Sequence, residues 1–335
     1  MKKRMFATLA LVGATALTIA GCSSGGDPTS SNTANPGGGG GDGDLITVGF
    51  AQTGSESGWR SANTDSMKAA FSKENGFDLI FNAADNDTAA QITAVRSFIN
   101  QGVDAIVIAP IVSDGWDDVL QEAKDAGIPV VLEDRTVSAS EDLWAAWVGD
   151  DFKKEGETAG KFAADNYGST PTKMVVLEGT TGSAPANDRA AGFDSAIAGT
   201  QIQKIDSQTG EFTRDGGKSV MEGFIQKYGI DGIDLVFAHN DDMALGAIDA
   251  IEAAGGKPGT DIKIISIDGV HDGMQALLDK KINYIVECNP LLGEPAAALV
   301  KAVVAGSAVE KVSYGVDGSF TQDDITQEIL DARAY

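Results

Sequence analysis

Several short apolar runs in this 335-residue chain end in side chains that could do chemistry. Ile46–Ala51 runs into Gln52-Thr53-Gly54-Ser55-Glu56-Ser57-Gly58-Trp59-Arg60, and Val130–Glu133 runs into Asp134-Arg135. Met174–Leu177 is followed by a small-residue loop leading to Asn187-Asp188-Arg189. Leu235–Ala238 meets His239-Asn240-Asp241-Asp242, and Ile262–Ile267 meets Asp268-Gly269. Carboxylates, amides and guanidiniums grouped in this way suit a polyhydroxylated ligand. Each sugar hydroxyl both donates and accepts, so Asp and Asn opposite Arg can satisfy it. Trp59 could cover the apolar C–H face of a sugar ring. Each residue also has a plainer reading. Asp134-Arg135 reads as a surface ion pair, Asp268-Gly269 as a turn, and Trp59 as core. Asn240 and Asp241 can be read as caps of a helix beginning near Asp242, with Asp241 or Asp242 the favoured cap. Their shared place after apolar runs is what favours a site.

Other chemistries fit poorly. The only histidines, His239 and His271, form no metal-spaced cluster with each other or with paired cysteines. There is no G-x-S-x-G nucleophile elbow. Gly217-Lys218-Ser219 ends like a phosphate-binding loop, but Phe212 stands where its first glycine belongs, so a helix start is the better reading. Asp85-Asn86-Asp87 lacks the glycine and distal glutamate of a calcium loop. No cofactor and no metal are expected. A formal charge of −24 argues against binding nucleic acid, because nothing here could neutralise a phosphate backbone. A glycoside hydrolase built on Asp134 and Asp268 is the enzymatic alternative.

The elements that must position these residues follow from the spacing. Candidate strands are Ile46–Ala51, Leu79–Ala83, Ala105–Ala109, Val130–Glu133, Met174–Leu177, Ile202–Ile205, Leu235–Ala238, Ile262–Ile267 and Tyr284–Glu287. Between them lie helix-like segments at Ala89–Asn100, Trp116–Ala126, Lys153–Asn166, Gly216–Lys227 and Met243–Ala254. Ser113 or Asp114 can cap the second of these, and Gly127-Ile128-Pro129 closes it. Apolar strands alternating with helices predict βαβ units and mostly parallel sheets. The pattern runs twice, which predicts an α/β fold of two doubly wound parallel-sheet lobes. A (β/α)₈ barrel is the structural runner-up. Open parallel sheets bind ligands at the carboxyl ends of their strands, where the polar residues above fall.

The amino terminus reads differently. Met1-Lys2-Lys3-Arg4, an apolar stretch from Met5 to Ile19 and Ala20-Gly21-Cys22 have the layout of a secretory signal peptide. Leu17 to Cys22 resembles a bacterial lipobox, which makes Cys22 the expected lipidation site. With Cys22 so used, Cys288 has no disulfide partner. Residues 23–44, with Gly37 to Gly41 unbroken, read as a flexible tether. The chain is therefore expected outside the cytoplasm, held to the cell membrane by a lipid anchor only.

From Ile46 to about Gly318 the sequence resembles the type I periplasmic sugar-binding proteins, related to ribose-binding proteins and to the ligand domains of LacI-type repressors. The resemblance is carried by Val48-Gly49-Phe50 through Gly54-Ser55-Glu56-Ser57-Gly58-Trp59-Arg60 and by Gln101-Gly102-Val103-Asp104-Ala105-Ile106. It continues in Ala123-Lys124-Asp125-Ala126-Gly127-Ile128-Pro129 and in His239-Asn240-Asp241-Asp242-Met243-Ala244-Leu245-Gly246-Ala247. The Glu56–Arg60 segment and Ser266-Ile267-Asp268-Gly269 are most similar to the galactofuranose-binding proteins of ABC transporters. A signal peptide where a DNA-binding headpiece would stand sets the repressors aside.

The resemblance implies that the ligand is held by Glu56, Ser57, Gly58, Trp59, Arg60, Asp134, Arg135, Arg189, Asn240 and Asp268. Glu287 and Cys288 are possible further contacts. It implies lobes of 45–149 plus 289–316 and of 150–288 plus 317–335, joined by a three-segment hinge. The expected partners are a monosaccharide and the permease subunits of an ABC transporter, with the chain a monomer; a sugar-sensing receptor is the alternative partner. Arg60, Arg135 and Arg189 would also suit an anionic sugar, but Glu56, Asp134 and Asp268 offset them and favour a neutral one.

Overall fold

The computed structural model describes residues 45–335. The signal peptide, Cys22 and the tether lie outside the described residues. The first half runs β1 (Ile46–Gln52), α1 (Gly58–Ala70), β2 (Phe77–Ala83), α2 (Thr88–Gln101), β3 (Ala105–Ile108), α3 (Asp117–Asp125), β4 (Val130–Glu133) and β5 (Ala146–Gly149). The second runs α4 (Phe152–Tyr167), β6 (Thr172–Glu178), α5 (Ala184–Ala196), β7 (Ile202–Thr209), α6 (Arg214–Tyr228), β8 (Leu235–Ala238), α7 (Asp241–Ala253), β9 (Lys263–Asp268), α8 (His271–Leu278) and β10 (Tyr284–Glu287). It closes with α9 (Gly293–Val304), β11 (Val312–Tyr314), β12 (Ser319–Thr321) and α10 (Gln327–Asp331).

Two open sheets result, in the orders β2-β1-β3-β4-β5-β11 and β7-β6-β8-β9-β10-β12. Every pairing is parallel except β12 on β10. Two separate sheets exclude the barrel. The strands inside each sheet, such as Ala105-Ile106-Val107-Ile108 and Leu235-Val236-Phe237-Ala238, are buried at every residue, because helices cover both faces. Trp116, Val119 and Leu120 pack with Ile106, Ile108 and Leu132 on the first sheet. Met221, Phe224, Ile248 and Ile251 pack with Val175, Val236 and Ile264 on the second. The chain passes between the sheets three times, from β5 to α4, from β10 to α9 and from β11 to β12.

Helix starts depart from expectation in three places. Asn240, not Asp241 or Asp242, caps α7: its extended backbone lets the amide oxygen accept from Met243 N–H at 3.0 Å. Asp241 is turned away to accept from Gly269 N–H (2.8 Å), Val270 N–H (3.0 Å) and Ser266 Oγ (2.6 Å). Neither Ser113 nor Asp114 caps α3, which starts at Asp117 without a side-chain cap. The Asp114 carboxylate instead accepts from Ser138 Oγ at 2.5 Å. The segment read as a loop before Arg189 is helical. Ser183 accepts from Ala186 N–H and Pro185 sits in the first turn of α5, where its fixed φ and missing donor cost nothing.

Candidate functional site

The carboxyl ends of both sheets face one narrow cavity lined by residues from both. The first lobe supplies Glu56 and Ser57 after β1, Trp59 and Arg60 from the first turn of α1, and Asp134 and Arg135 after β4. The second supplies Arg189 from α5, Asn240 after β8 and Asp268 at the end of β9. Of the ten residues expected to bind ligand, nine therefore meet here. Gly58 is the exception. It is exposed, and its N–H donates across the cleft to Asp242 Oδ2 at 2.9 Å. Ser57 also caps α1, accepting from Arg60 N–H at 3.0 Å.

Three guanidiniums define the electrostatics, and each is held in place. Arg60 Nη2 lies 2.5 Å from Asp134 Oδ2, its Nε 3.1 Å from Glu56 Oε1 and its Nη1 3.2 Å from Asn63 Oδ1. Arg135 Nη1 donates to Ile111 O at 3.1 Å and Nη2 to Glu56 Oε1 at 3.4 Å, leaving its buried Nε without a partner. Arg189 Nε donates to Glu155 Oε2 at 2.7 Å and Nη1 to His239 O at 2.6 Å, with Nη2 3.8 Å from Asp268 Oδ1. The close approach of α4 to α5 that makes the Glu155 bond possible needs Gly156, where a Cβ would lie 2.2 Å from Arg189 O.

Protonation follows from this setting. Burial alone would raise Glu56, but Arg60 and Arg135 outweigh it and hold its carboxyl below the ordinary range. Burial, reinforced by Arg60, pulls Arg135 down to about 10, still protonated at neutral pH. Burial pushes Asp268 well above the usual carboxylate range although Arg189 opposes it. Behind the cavity, burial and then Asp134 raise Glu133 to about 8, while Asn63 donates to its other side. Burial, then Arg189, holds His239 down to about 3, so it stays neutral and its N δ1 accepts from Gly179 N–H at 3.3 Å.

The polar atoms left facing the cavity are therefore both donors and acceptors. Arg135 Nε and Asp268 Oδ2 are buried without a partner. Buried unpaired polar groups cost about 1–3 kcal/mol each, so a ligand that bonds them recovers that cost. The Asp134 and Asp268 backbones both take positive φ, 57° and 130°, turning the two carboxylates off the strand direction.

The sequence pattern missed Pro185 and Phe212, which also line the cavity. Phe212 follows β7 in a left-handed pair with Glu211 (φ 61° and 56°), and no motif in the sequence announces it. Asn63 and Glu155, one turn along α1 and at the start of α4, hold arginines without lining the cavity; only Asn63, three residues after Arg60 on one helix, had a signal in the spacing. Cys288 lines the cavity, but Glu287 points away to Arg333, Tyr335 Oη (3.0 Å) and Gly318 N–H (2.9 Å).

Known proteins share this architecture. The periplasmic binding protein domain model matches residues 48–308. The chain is 44% identical over 288 residues to galactofuranose-binding protein YtfQ of Escherichia coli, covering 85% of this chain and 90% of that one. A crystal structure from Mycobacterium smegmatis in complex with β-D-fucofuranose is 51% identical with TM-score 0.82, over 86% of this chain and 97% of that one. The periplasmic binding component of the arabinose ABC transporter of Shewanella sp. ANA-3, bound to α- and β-L-arabinofuranose, is 44% identical with TM-score 0.82, over 86% and 95%.

Proposed function

The chain belongs to the periplasmic binding protein domain family, and from that premise we propose that it is the sugar-capturing component of an ABC importer for a monosaccharide in its furanose form. It is a binding protein, not an enzyme, and works outside the cytoplasm. The observation that carries the ligand is the convergence of Arg135 and Arg189, Asp134 and Asp268, and Asn240 on one small cavity from both lobes. Paired donors and acceptors in a dry site reject an analogue lacking a hydroxyl far more strongly than an apolar pocket could. The names of similar proteins that bind galactofuranose, fucofuranose and arabinofuranose support the five-membered ring.

The lobes are 45–149 with 289–316 and 150–288 with 317–335, and they close about the three crossings. The cross-lobe bonds from Gly58 N–H to Asp242 and from Trp59 Nε1 to Cys288 O (2.7 Å) are those of a closed form. Closure completes the site and presents one shape to the permease. Lipidation at Cys22 keeps the protein at the membrane, and the monomer is the working unit.

A thermal-shift screen of the purified chain against L-arabinose, D-galactose, D-fucose, ribose, sugar acids and nucleosides tests the ligand. A sugar at 100 times its Kd adds about 2.7 kcal/mol of stability. A selective rise with sugars that populate furanose rings is expected. A rise with sugar acids alone would replace the neutral ligand by an anionic one.

A further inference from the structure

Two hydrogen bonds join the carboxyl ends of the two sheets without using the cavity. The N–H of Gly58, at the start of α1, donates to Asp242 Oδ2 in the first turn of α7 at 2.9 Å. The N–H of Ser113, after β3, donates to the carbonyl of Gly182, after β6, at 3.0 Å. Gly58 and Ser113 follow strands of the first sheet, Asp242 and Gly182 strands of the second. None of the four lines the cavity.

Both bonds lie away from the crossings. The chain passes between the sheets at β5, β10, β11 and β12, which form one end of each sheet. β1 is three strands from β5, and β8 is two strands from β10, at about 4.8 Å per strand. A rotation about the crossings therefore parts these contacts, and only the closed arrangement contains them. Each partner is also prepared on its own side. Gly58 is the first residue of its helix, so its N–H has no acceptor there, and the Ser57 hydroxyl is already taken by Arg60 N–H. Asn240 caps α7, which leaves the Asp242 carboxylate free of that role. Ser113 is steadied by Ser138, whose N–H and Oγ both donate to its carbonyl, at 2.8 and 3.1 Å.

We infer that Asp242 and the Gly58 N–H form a latch that holds the lobes closed without touching the sugar, so that it sets how long a sugar stays bound and not which sugar is chosen. The inference rests on the reading of hinge closure given above. A contact made only in the closed form raises affinity by one factor for every ligand that closes the lobes. Sugar enters the open form and leaves after reopening, so the latch acts on dissociation and leaves association nearly unchanged. Gly58 is exposed and water competes for its N–H, which limits the factor to about three to ten.

Calorimetry and stopped-flow tryptophan fluorescence of the purified full-length chain, with L-arabinose and with D-galactose, test the latch; Trp59 in the cavity supplies a signal. Asp242→Ala removes the acceptor and Gly58→Pro the donor. Proline is well tolerated as the first residue of a helix, and Ser57 already has the extended backbone (φ −147°, ψ 165°) that a following proline requires. Each variant should weaken both sugars by the same factor of about three to ten, through faster release, with the melting temperature of the free protein little changed. The double variant should lose no more than either alone. Gly58→Ala keeps the N–H and sets its Cβ 3.6 Å from Asp242 Oδ2, an ordinary contact, so it should bind like the wild type. Unchanged affinity and release in Asp242→Ala overturn the inference and leave the sugar reading intact. So do additive losses in the double variant, or a loss in Gly58→Ala equal to that in Gly58→Pro. A loss that differs between the two sugars also overturns it, by putting Asp242 in the choice of ligand. Binding of neither sugar by the wild type overturns the proposed function and this inference with it.

Discussion

The Arg135 guanidinium lies 5.3 Å from the centre of the Phe212 ring, and the two residues belong to opposite lobes. Arg135 follows β4 of the first sheet, and Phe212 precedes α6 on the second. A cation over an aromatic face contributes about 0.5–2 kcal/mol, more when water is excluded, so this contact favours the closed form before any ligand bond is counted. Phe212→Leu keeps the apolar bulk and removes the ring. Its expected effect is a loss of sugar affinity of about 3- to 30-fold with the melting temperature of the free protein little changed, read by calorimetry and thermal scanning. An unchanged Kd would show that closure does not use this contact.

Phe212 in turn depends on Gly179. A Cβ at that position would lie 1.9 Å from the ring, closer than any side chain tolerates. Gly179→Ala is expected to displace the ring towards the cavity and to weaken binding more than Phe212→Leu does. Pairing the two substitutions should recover part of the loss, because the smaller, flexible leucine can move aside. Strict additivity in this double-mutant cycle would separate Gly179 from the ring.

Arg60 and Asp134 make the tightest ion pair in the site, with both side chains at most 4% exposed. Removing one partner of a buried pair leaves the other charge uncompensated, at a cost of about 3–5 kcal/mol. Asp134→Ala is therefore expected to lower the denaturation midpoint as well as abolish binding, because Arg60 keeps only Glu56 and Asn63. Arg135→Ala removes a guanidinium whose Nε makes no hydrogen bond and lies 3.8 Å from Asp134 Oδ2, and should cost binding severely with much less stability. Urea melts of the two variants, read beside their sugar titrations, check the contrast. Equal destabilisation would show that Arg135 supports the fold as much as the ligand.

The two sheets were legible because buried parallel strands are continuous apolar runs, and turn residues separate them from helices of regular length. Most of the site was legible for a related reason: polar residues directly after buried strands have nowhere to go but the sheet edge. What the spacing could not show lies off the strands. β5, Ala146-Trp147-Val148-Gly149, has a single β-branched residue between an alanine and a glycine, so it does not stand out from its loop. α5 was hidden because its first residues are Ser, Ala and Pro, which read as a loop until Pro185 is taken as a start signal. Glu155 and Phe212 meet Arg189 and Arg135 far away in sequence, and no local pattern encodes such a pairing, whereas Asn63 meets Arg60 one turn away on α1. The cap of α7 turned on whether Asn240 or its acidic neighbours had a better use, and Asp241 had one in the turn after β9.

Cys288 provides a probe of closure. Its thiol is 1% exposed, and burial, reinforced by Glu155 and Asp150, holds it well above its ordinary pKa. Only the thiolate reacts with disulfide reagents. If the lobes open, labelling by dithionitrobenzoate should proceed in the free protein and slow by more than tenfold with saturating sugar. The rate should rise with pH. Equal rates with and without sugar would mean that closure does not cover this side chain.

Cys22→Ser tests the anchor. The unaltered chain is expected in the membrane fraction of expressing cells and the variant in the soluble fraction or medium, with sugar binding unchanged. Stable anchoring usually needs two signals, and the acidic body supplies no electrostatic one, so membrane retention would rest on lipid at Cys22. A variant that stays with the membrane would remove the lipid from the proposal.

Asp268 allows stability and binding to be pulled apart. Its backbone φ of 130° lies in a region populated almost only by glycine, which costs about 1–3 kcal/mol in any other residue. Its buried Oδ2 also lacks a partner, a second cost carried in the free protein. Asp268→Gly relieves both, so the variant is expected to melt at the same temperature or higher while losing sugar affinity by more than about 100-fold, the scale of a charged hydrogen bond. Asp268→Ala loses the same affinity but keeps the backbone strain, and should melt below the glycine variant. That ordering, Gly above Ala in stability with both silent in sugar titrations, identifies strain held for the ligand. A glycine variant less stable than wild type would show instead that the 3.8 Å pairing with Arg189 outweighs the strain.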